Sequence, residues 1–278
     1  MKKSDDVVGE ILKMLNSGPT VVIGDVQGCV SSLNLLLELC QKRFGMFQAY
    51  FVGDLINRGT GSLAVLELAR TGGHRTVLGN HEIYFLAVVA GAMRRKRDTL
   101  DQLFESSSLM SWVDWIRHQP ILHTVAGYTI VHAGVDPRWT GASMSAYAKR
   151  LEDGLRSPQW RQFLKAIVGE NVRESELALA LQSFTRIRML KGNGLPDTTY
   201  KGTPEDAPAM LSPWYTAYDG HMGPIIFGHW AALGARKLEH CISLDSGCVW
   251  GRSLTAYVLP AGEFISCEAV SKDLLEKG

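Results

Sequence analysis

Residues 50–59 read Y-F-V-G-D-L-I-N-R-G, and this segment contains the pattern from which the architecture of the chain can be inferred. The apolar run at 50–52 is followed directly by a glycine and by Asp54. Such a run predicts a buried strand with a carboxylate at its carboxyl end, where open α/β sheets bind their ligands. A single Gly-Asp pair is weak evidence, because the same pair also begins ordinary turns.

The same pattern recurs four more times along the chain. Apolar runs precede Gly24-Asp25 and Gly79-Asn80, and two later runs end at His132 and at Gly228-His229. One such residue alone would most simply be a turn aspartate or a structural histidine, but five in one ordered pattern indicate a metal site. Carboxylate, amide and imidazole ligands together suit Mn²⁺, Fe²⁺, Co²⁺ or Zn²⁺. The predicted ligands are Asp25, Asp54, Asn80, His132 and His229.

A pair of such ions is suited to the transfer of a phosphoryl group. Two ions about 3.5–4 Å apart hold both the attacking and the leaving oxygen of an in-line displacement. One carboxylate must then bridge the two ions, and Asp54 on the central segment is the candidate for this role.

The order of the predicted elements indicates an α/β fold. Strands and helices alternate as far as residue 93, so a parallel sheet with right-handed crossovers is the default. We expect one domain at 20–270 with a helical insertion around 94–120 and 140–190, preceded by an N-terminal extension at 1–19. The predicted elements are strands at 20–23, 48–52, 74–78 and 225–227, hairpins over 121–132 and 254–267, a long ordered loop at 192–213, and helices at 7–15, 31–40, 61–70, 82–93, 100–118 and 173–182.

Composition narrows the class of protein. The 278 residues are 46% hydrophobic and 21% charged, which is typical of a soluble globular protein with a core that needs no disulfide. A net charge of +1 disfavours a broad nucleic-acid-binding surface. Five cysteines without a C-x-x-C pair favour reduced thiols. With neither a signal peptide nor a spanning segment in the sequence, we expect a cytoplasmic protein with no membrane association and no obligate protein partner.

Two features of the sequence leave alternatives open. The basic run Arg94-Arg95-Lys96-Arg97 fits a solvated helix end, which the helix dipole favours, or a contact for polyphosphate or RNA. The aromatic residues Trp214, Tyr215 and Trp230 could stack on a base but could equally pack in the core.

The strand-end motifs resemble those of a known family. G-D-V-Q-G at 24–28, G-D-L-I-N-R-G at 53–59 and G-N-H-E at 79–82, followed by H-A-G at 132–134 and G-H at 228–229, are similar to the phosphoprotein-phosphatase branch of the calcineurin-like metallophosphoesterases. Within that branch, four further segments resemble the symmetrical diadenosine tetraphosphatases. These segments are F-T-R-I-R-M at 184–189, T-P-E-D-A-P at 203–208, G-H-W-A at 228–231 and L-D-S-G-C-V-W-G at 244–251.

The resemblance implies a fold, a mechanism and a set of functional residues. The fold would be a sandwich of central β-sheets flanked by helices. A hydroxide bridging two divalent ions, Mn²⁺ or Co²⁺ with iron or zinc as alternatives, would attack a central phosphate of diadenosine 5′,5‴-tetraphosphate and release two ADP. The implied ligands are Asp25, Gln27 and Asp54 for one ion and Asp54, Asn80, His132 and His229 for the other. His81 would protonate or stabilise the leaving oxygen. Phosphate oxygens would be bound by Arg58, Arg186 and Arg188.

Two positions depart from the wider family. Gln27 stands where the family has histidine, so we expect the first ion to be held more weakly. Asn57 stands where protein phosphatases have aspartate; an asparagine can orient His81 but cannot raise its pKa by negative charge. Without that charge His81 is a weaker acid, which disfavours a poor leaving group such as a serine alkoxide. Cleavage of an anhydride remains compatible with Asn57, because its phosphate leaving group has a second pKa of about 6.

Three alternatives remain open at this level. Nucleoside-polyphosphate caps of RNA present the same anhydride bond as a dinucleotide. A serine/threonine protein phosphatase is disfavoured by Asn57 and by the C-terminal motifs. A catalytically silent metal- or nucleotide-binding module is disfavoured because His81 accompanies all five predicted ligands.

Overall fold

The computed structural model describes residues 18–169 and 175–275. The helix predicted at 7–15 therefore lies outside the described residues. The strands are β1 (Thr20–Ile23), β2 (Gln48–Phe51), β3 (Arg75–Thr76), β4 (Leu122–Val125), β5 (Tyr128–Val131), β6 (Met189–Lys191), β7 (Pro196–Asp197), β8 (Leu211–Pro213), β9 (Ile225–Phe227), β10 (Arg236–Lys237), β11 (Cys241–Ser243), β12 (Ser253–Leu259) and β13 (Glu263–Glu268). The α-helices are α1 (Val30–Phe44), α2 (Ser62–Thr71), α3 (Asn80–Val89), α4 (Asp101–Phe104), α5 (Leu109–Arg117), α6 (Gly141–Arg156), α7 (Trp160–Ile167) and α8 (Glu176–Arg186).

Two five-stranded sheets form the centre of the fold. The first has the order β13-β12-β1-β2-β3, and the second has the order β10-β11-β9-β5-β4. Strands β1, β2 and β3 are parallel, as the sequence predicts, and so are β5, β9 and β11. The remaining strands of both sheets pair antiparallel. The parallel arrangement thus holds only for part of each sheet, because hairpins extend the edges. A small third sheet has the order β7-β6-β8.

The alternation of side chains along the strands explains how the two sheets pack. Along β1, Val21 and Ile23 belong to one apolar cluster and Val22 to another, because successive side chains point to opposite faces. Val22 packs in a cluster that also contains Ile130 and Ile226 of the second sheet. Each of these fully buried side chains stabilises the fold by about 1.5–3 kcal/mol. The predicted sandwich of sheets flanked by helices is confirmed.

The helical insertion forms, but its internal boundaries differ from those predicted. The helix expected at 100–118 is divided into α4 and α5. A serine run at 106–108 separates the two, and Ser106 Oγ accepts a hydrogen bond from the backbone N–H of Ser108 at 3.1 Å. Serine competes with helical hydrogen bonding in this way and favours turns.

The basic run at 94–97 does not lie at a helix end. Helix α3 ends at Val89, and Gly91 has a left-handed backbone with φ of 68°. The prediction of a helix reaching residue 93, and with it the helix-end interpretation of the basic run, is wrong. Arg95 instead pairs with Asp98 and Asp101.

The segment at 192–213 was predicted to be a long ordered loop. It is ordered, but it also contributes β7 and β8 to the third sheet. Among the helices at 18–169 and 175–275, none is both long and apolar enough to cross a membrane.

Candidate active site

The predicted ligand residues meet at one rim of the sandwich, where the carboxyl ends of strands from both sheets lie together. Asp25, Asp54 and Asn80 follow β1, β2 and β3 of the first sheet, and His132 and His229 follow β5 and β9 of the second. The ligand atoms of Asp54, His132 and His229 all lie within 4.8 Å of one another. The structure thus brings together residues from loops that are far apart in the sequence.

Asn80, His132 and His229 form what we call the imidazole side of the site. His132 donates its Nδ1 proton to the backbone oxygen of Val52 at 2.8 Å, which leaves a lone pair on Nε2. That Nε2 atom lies 3.1 Å from Asn80 Oδ1 and 3.4 Å from Asp54 Oδ1. All three of these atoms are electron-pair donors to a cation, and no proton is available between them.

His229 is oriented in the same manner from the opposite direction. Its Nε2 lies 3.2 Å from the backbone oxygen of Arg186, to which it donates, so the lone pair of Nδ1 faces Nε2 of His132 at 3.2 Å. Burial lowers the pKa of His132 and of His229. Both rings are therefore neutral at pH 7, which is the form that binds a metal ion.

Asp25, Gln27 and Asp245 form what we call the carboxylate side, with Asp54 shared between the two sides. Asp25 accepts the backbone N–H of His229 on its two oxygens at 3.0 and 3.2 Å. Burial, with Asp245 and Asp54 nearby, raises the pKa of Asp25 well above its usual range. Burial also raises the pKa of Asp245 to about 6. Buried carboxylates that face one another in this way are stabilised by a cation between them.

Gln27 occupies the position at which the resemblance in the sequence implies a histidine. Its side chain is 8% exposed, and its Nε2 donates to Asp54 Oδ2 at 3.1 Å. The amide therefore holds one oxygen of the shared carboxylate, while Asp54 Oδ1 accepts the backbone N–H of His81 at 2.9 Å.

The buried carboxylate of Glu82 holds two of these loops in register. It accepts the backbone N–H groups of Asp54 at 2.9 Å, Leu55 at 2.8 Å and Gly79 at 2.8 Å. Burial, with Asp54 nearby, raises the pKa of Glu82 to about 8. This side chain fixes the spacing between Asp54 and the first turn of α3.

The loops of the site are held in unusual backbone conformations. Six non-glycine residues of the described chain have positive φ, and Ala126 in the β4–β5 turn is the one member outside the site. Such conformations typically cost about 1–3 kcal/mol each and persist where the surrounding structure fixes them. The five at the site are Gln27 (46°), Asp54 (50°), Asn57 (76°), Arg58 (68°) and His229 (65°).

The glycines that precede two of the ligands are required by close approach. A Cβ atom on Gly79 would lie 2.2 Å from Asp54 Oδ1, and one on Gly228 would lie 2.0 Å from Asp25 Oδ1. In each case a ligand from a different loop rests against the glycine. The repeated glycine-plus-ligand pattern of the sequence thus has a steric cause.

His81 lies beside the shared carboxylate at the start of α3. Its Nε2 is 3.5 Å from Asp54 Oδ2 and accepts a hydrogen bond from Arg58 Nε at 3.3 Å. Its buried Nδ1 has no hydrogen-bond partner among the described residues. Burial lowers the pKa of His81 to about 4. The ring is therefore neutral at pH 7 in this state.

A cavity of about 410 Å³ opens over the two sides of the site. Arg58, Arg186 and Arg188 line it together with His81, and Arg188 Nη2 donates to the backbone oxygen of His229 at 2.9 Å. Burial lowers the pKa of Arg186 and Arg188. Within the described part of the chain, none of the three arginines forms an ion pair with a carboxylate. A bound anion would relieve the cost of burying their charge.

Asn57 lies in the loop between β2 and α2 and does not hydrogen-bond to His81 in the described structure. Its Oδ1 accepts the backbone N–H of Arg58 at 2.8 Å and that of Thr99 at 3.2 Å. The contacts that it makes fix the loop of Arg58 rather than the imidazole of His81.

The donor set of this site fits two divalent cations. The imidazole side offers two correctly oriented ring nitrogens and an amide oxygen, and the carboxylate side offers buried acids that repel one another. The backbone oxygens of Val52 and Arg186 accept hydrogen bonds from the two rings and so orient them, as carbonyl groups commonly do around metal ligands.

A family model of calcineurin-like phosphoesterases matches residues 18–231. The chain belongs to this family. This phosphoesterase is 38% identical over 251 residues to a symmetrical bis(5′-nucleosyl)-tetraphosphatase of Dechloromonas aromatica, covering 85% of the chain and 91% of that relative. It is 36% identical over 254 residues to a protein of the same name from Burkholderia pseudomallei, covering 87% of the chain and 90% of the relative.

Solved structures confirm the fold of this phosphoesterase. A crystal structure provisionally assigned as a diadenosine tetraphosphatase superposes with a TM-score of 0.64 at 22% identity, covering 92% of this chain and 95% of that one. A serine/threonine phosphatase from Saccharomyces cerevisiae superposes with a TM-score of 0.53 at 14% identity, covering 92% and 81% of the two chains.

Sequence reasoning missed three residues of this phosphoesterase that the structure places at or next to the site. Asp245 was noted only as part of a family motif, although it follows the apolar run at 241–244 and so repeats the strand-end signal. No local pattern in the sequence predicts that Glu82 hydrogen-bonds to the Asp54 loop. Asp273 accepts the backbone N–H groups of Ser31 and Ser32 at 3.0 and 2.7 Å, across more than 240 residues, which no local pattern could reveal.

The aromatic residues that were candidates for base stacking can now be judged by exposure. Trp214 and Trp230 are both 0% exposed, so core packing accounts for them. Trp230 also donates its Nε1 proton to the backbone oxygen of Gly202 at 2.9 Å. Neither indole presents a face to a ligand.

Proposed function

We propose that this phosphoesterase hydrolyses diadenosine 5′,5‴-tetraphosphate symmetrically to two ADP. The observation that carries the proposal is the convergence of cation ligands beneath a cavity lined by four arginines, Arg58, Arg186, Arg188 and Arg252. A polyphosphate supplies several anionic oxygens at once. The relatives that bear the name symmetrical bis(5′-nucleosyl)-tetraphosphatase match over 85% or more of this chain. Those relatives provide the identity of the substrate.

In this proposal the ligands divide between two cations as the two sides of the site suggest. Asp25, Gln27 and Asp54 hold one, and Asp54, Asn80, His132 and His229 hold the other. When bound, the cations supply an activated water molecule and neutralise charge on the transferring phosphoryl group. We propose Mn²⁺ or Co²⁺ as the ions that support activity.

The arginines bind and orient the polyphosphate. Arg186 and Arg188 approach the cavity from the end of α8, and Arg58 approaches from the loop after β2. A planar guanidinium can form two parallel hydrogen bonds to a phosphate, which fixes the position of the reacting phosphorus. Since burial disfavours their charged form, Arg186 and Arg188 gain more from an anion than exposed arginines would.

His81 serves the leaving oxygen. Its Nε2 faces the cavity next to Asp54, and burial keeps its pKa low in the absence of an anion. Negative charge on an arriving polyphosphate favours the protonated ring. We infer that His81 gains its proton with substrate and delivers it to the phosphate that leaves.

We also propose a domain organisation, a cellular location and a class of leaving group for the enzyme. Residues 20–270 act as one domain after an N-terminal extension at 1–19, and the protein works in the cytoplasm without a membrane or an obligate protein partner. Asn57 supports the loop of Arg58, so an easily displaced phosphate leaving group fits this site better than a serine alkoxide.

Product analysis tests the proposal. The purified chain is incubated with diadenosine tetraphosphate and Mn²⁺ in ¹⁸O-labelled water, with a chelator control and a His132→Gln variant as the matched inactive protein. We expect ADP alone, with one label in half of the ADP molecules. AMP with ATP would contradict symmetric cleavage, and preferential turnover of a triphosphate-capped RNA added in competition would replace the dinucleotide as substrate.

A further inference from the structure

A second cavity of about 520 Å³ adjoins the cavity over the metal ligands. The two share a wall formed by Arg58, His81 and Trp250. Four of the predicted metal ligands, Gln27, Asp54, Asn80 and His229, line the first cavity. None of the six predicted ligands lines the second, whose lining includes Val249, Trp250, Leu274 and Leu275. The second cavity is therefore continuous with the reacting centre, but it is more apolar.

Trp250 presents an open aromatic face at this wall. Its side chain is 59% exposed, whereas the other large aromatic residues near the site, Trp214 and Trp230, are fully buried. The guanidinium of Arg58 lies 4.9 Å from the centroid of the indole. An exposed indole in such a position is costly in water and is suited to stacking on a planar ligand.

The indole is held in place by the loop that carries Asp245. Trp250 ends a short 3₁₀ helix, Cys248–Trp250, which lies between Gly247 and Gly251, both left-handed. Asp245 Oδ1 accepts the backbone N–H of Gly247 at 3.0 Å, and Cys248 is buried. The same loop thus fixes a carboxylate in the metal centre and an aromatic face outside it.

The lining of the second cavity contains a second guanidinium besides that of Arg58. Arg97, from the basic run at 94–97, lines the cavity beside Asp98 and forms no ion pair in the described part of the chain. Its neighbour Asp98 is already engaged, because Tyr84 OH donates to it at 2.8 Å and Arg95 pairs with it. A cavity whose lining combines apolar residues, an exposed indole and guanidinium groups suits a nucleoside attached to phosphate.

We propose that the second cavity binds the nucleoside of the leaving ADP half, with its adenine stacked on Trp250 and its phosphates at the end where Arg58 and His81 adjoin the metal ligands. The inference rests on the proposed function and adds the position of one nucleoside to it. In an in-line displacement the leaving oxygen lies opposite the attacking one. His81 separates the metal ligands from the second cavity, so the group that His81 serves extends into that cavity. A volume of about 520 Å³ accommodates a small planar ligand.

Trp250→Ala and Trp250→Phe test this site. Stacking of a base on an aromatic side chain corresponds to about 10- to 100-fold in affinity. We expect Trp250→Ala to raise KM for diadenosine tetraphosphate by this factor with a smaller change in kcat, and Trp250→Phe to restore most of the loss. Met110→Ala, which removes an exposed apolar side chain that lines neither cavity, is the matched control.

Direct binding separates this inference from the proposed function. ADP and inorganic pyrophosphate are titrated against each protein, with indole fluorescence as one readout and calorimetry as another. We expect Trp250→Ala to weaken ADP at least tenfold more than pyrophosphate and to lose most of the ADP-induced fluorescence change. Equal effects on the two ligands, or none, would overturn the subsite while leaving symmetric cleavage intact. If the wild-type chain binds ADP through Trp250 but makes no ADP from the dinucleotide, the subsite stands and the proposed function fails.

Discussion

The imidazole side and the carboxylate side of the centre are prepared for a cation in different ways. On the imidazole side, backbone carbonyls of Val52 and Arg186 orient two neutral rings, so the geometry is fixed without any net charge. On the carboxylate side, Asp25 and Asp245 are buried acids with raised pKa values. The first arrangement is stable when empty, whereas the second stores repulsion that only a proton or a cation relieves. Affinity for a cation at the imidazole side would therefore come from the orientation of its ligands, and at the carboxylate side from negative charge.

Removing the charge shared by the two sides should have the largest effect. Asp54→Asn keeps the shape of the side chain but takes away the negative charge that both cations would share. We expect loss of both bound cations and a fall in turnover greater than the roughly 10–100-fold that removal of an outer hydrogen-bonding partner causes. Metal content by mass spectrometry, with turnover measured in parallel, checks this. Asp25→Asn and His132→Gln are the comparisons, since each should spare one cation; two retained cations in Asp54→Asn would refute the shared role.

Asp245→Asn should change stability and metal affinity in opposite directions. The pKa of Asp245 is raised in the folded chain from 3.8 to about 6, so the folded state binds this proton more tightly than the unfolded state. The ionised group therefore destabilises the metal-free fold above pH 6, and this penalty disappears as the pH falls towards 4. We expect the variant, with chelator, to be more stable at pH 8 by on the order of 1–3 kcal/mol, with little gain at pH 4.

Urea denaturation at pH 8 and pH 4 measures the change in stability, and metal titration measures the change in metal affinity. Glu105→Gln, a change at an exposed carboxylate, serves as the control for loss of one surface charge. We expect Mn²⁺ to stabilise the wild-type chain more than Asp245→Asn. A variant that binds Mn²⁺ as tightly as the wild type would remove Asp245 from the carboxylate side.

Gln27→His should have the smallest effect and should make the two sides more alike. Histidine tolerates the left-handed backbone at this position, where φ is 46°, and it replaces an amide with an imidazole ligand. We expect Mn²⁺ affinity at the carboxylate side to rise about tenfold, which equals about 1.4 kcal/mol, with the imidazole side unchanged. Calorimetric titration checks this, and Gln48→His, away from the site, is the control. Identical affinities in both proteins would show that Gln27 does not limit the first cation.

The convergence of the candidate ligands could be predicted from the sequence because five of them, Asp25, Asp54, Asn80, His132 and His229, each follow a strand of their own. Asp54 and His229 carry the signal locally, as an apolar run, a glycine and a metal-binding side chain. The hairpins at 121–132 and 254–267 were predicted, but the antiparallel pairing of β12 with β1 was not, because pairing between distant segments leaves no mark on either one. Asp245 escaped notice as a ligand because Asp-Ser-Gly also reads as a turn.

Other parts of the site depend on contacts that no local pattern contains. Glu82 holds two loops together because it accepts hydrogen bonds from three of their backbone N–H groups. Trp250 is a candidate for stacking because its indole is exposed, and exposure cannot be inferred from residue type. The contacts of Asn57 differ from those expected because the fold brings Thr99 to its carbonyl oxygen. Tertiary packing decided each of these cases.

The carboxylate of Asp273 connects the end of the described chain to its catalytic loops. It binds the first turn of α1, directly after the Gln27 loop, and the backbone oxygen of the same residue accepts the N–H of Thr60, next to the loop of Arg58. A protease cut or premature stop before Ser271 would therefore act as an active-site lesion, because it would remove the buried carboxylate of Asp273 from these loops. Screens for loss of function in this chain should treat late nonsense mutations as damaging.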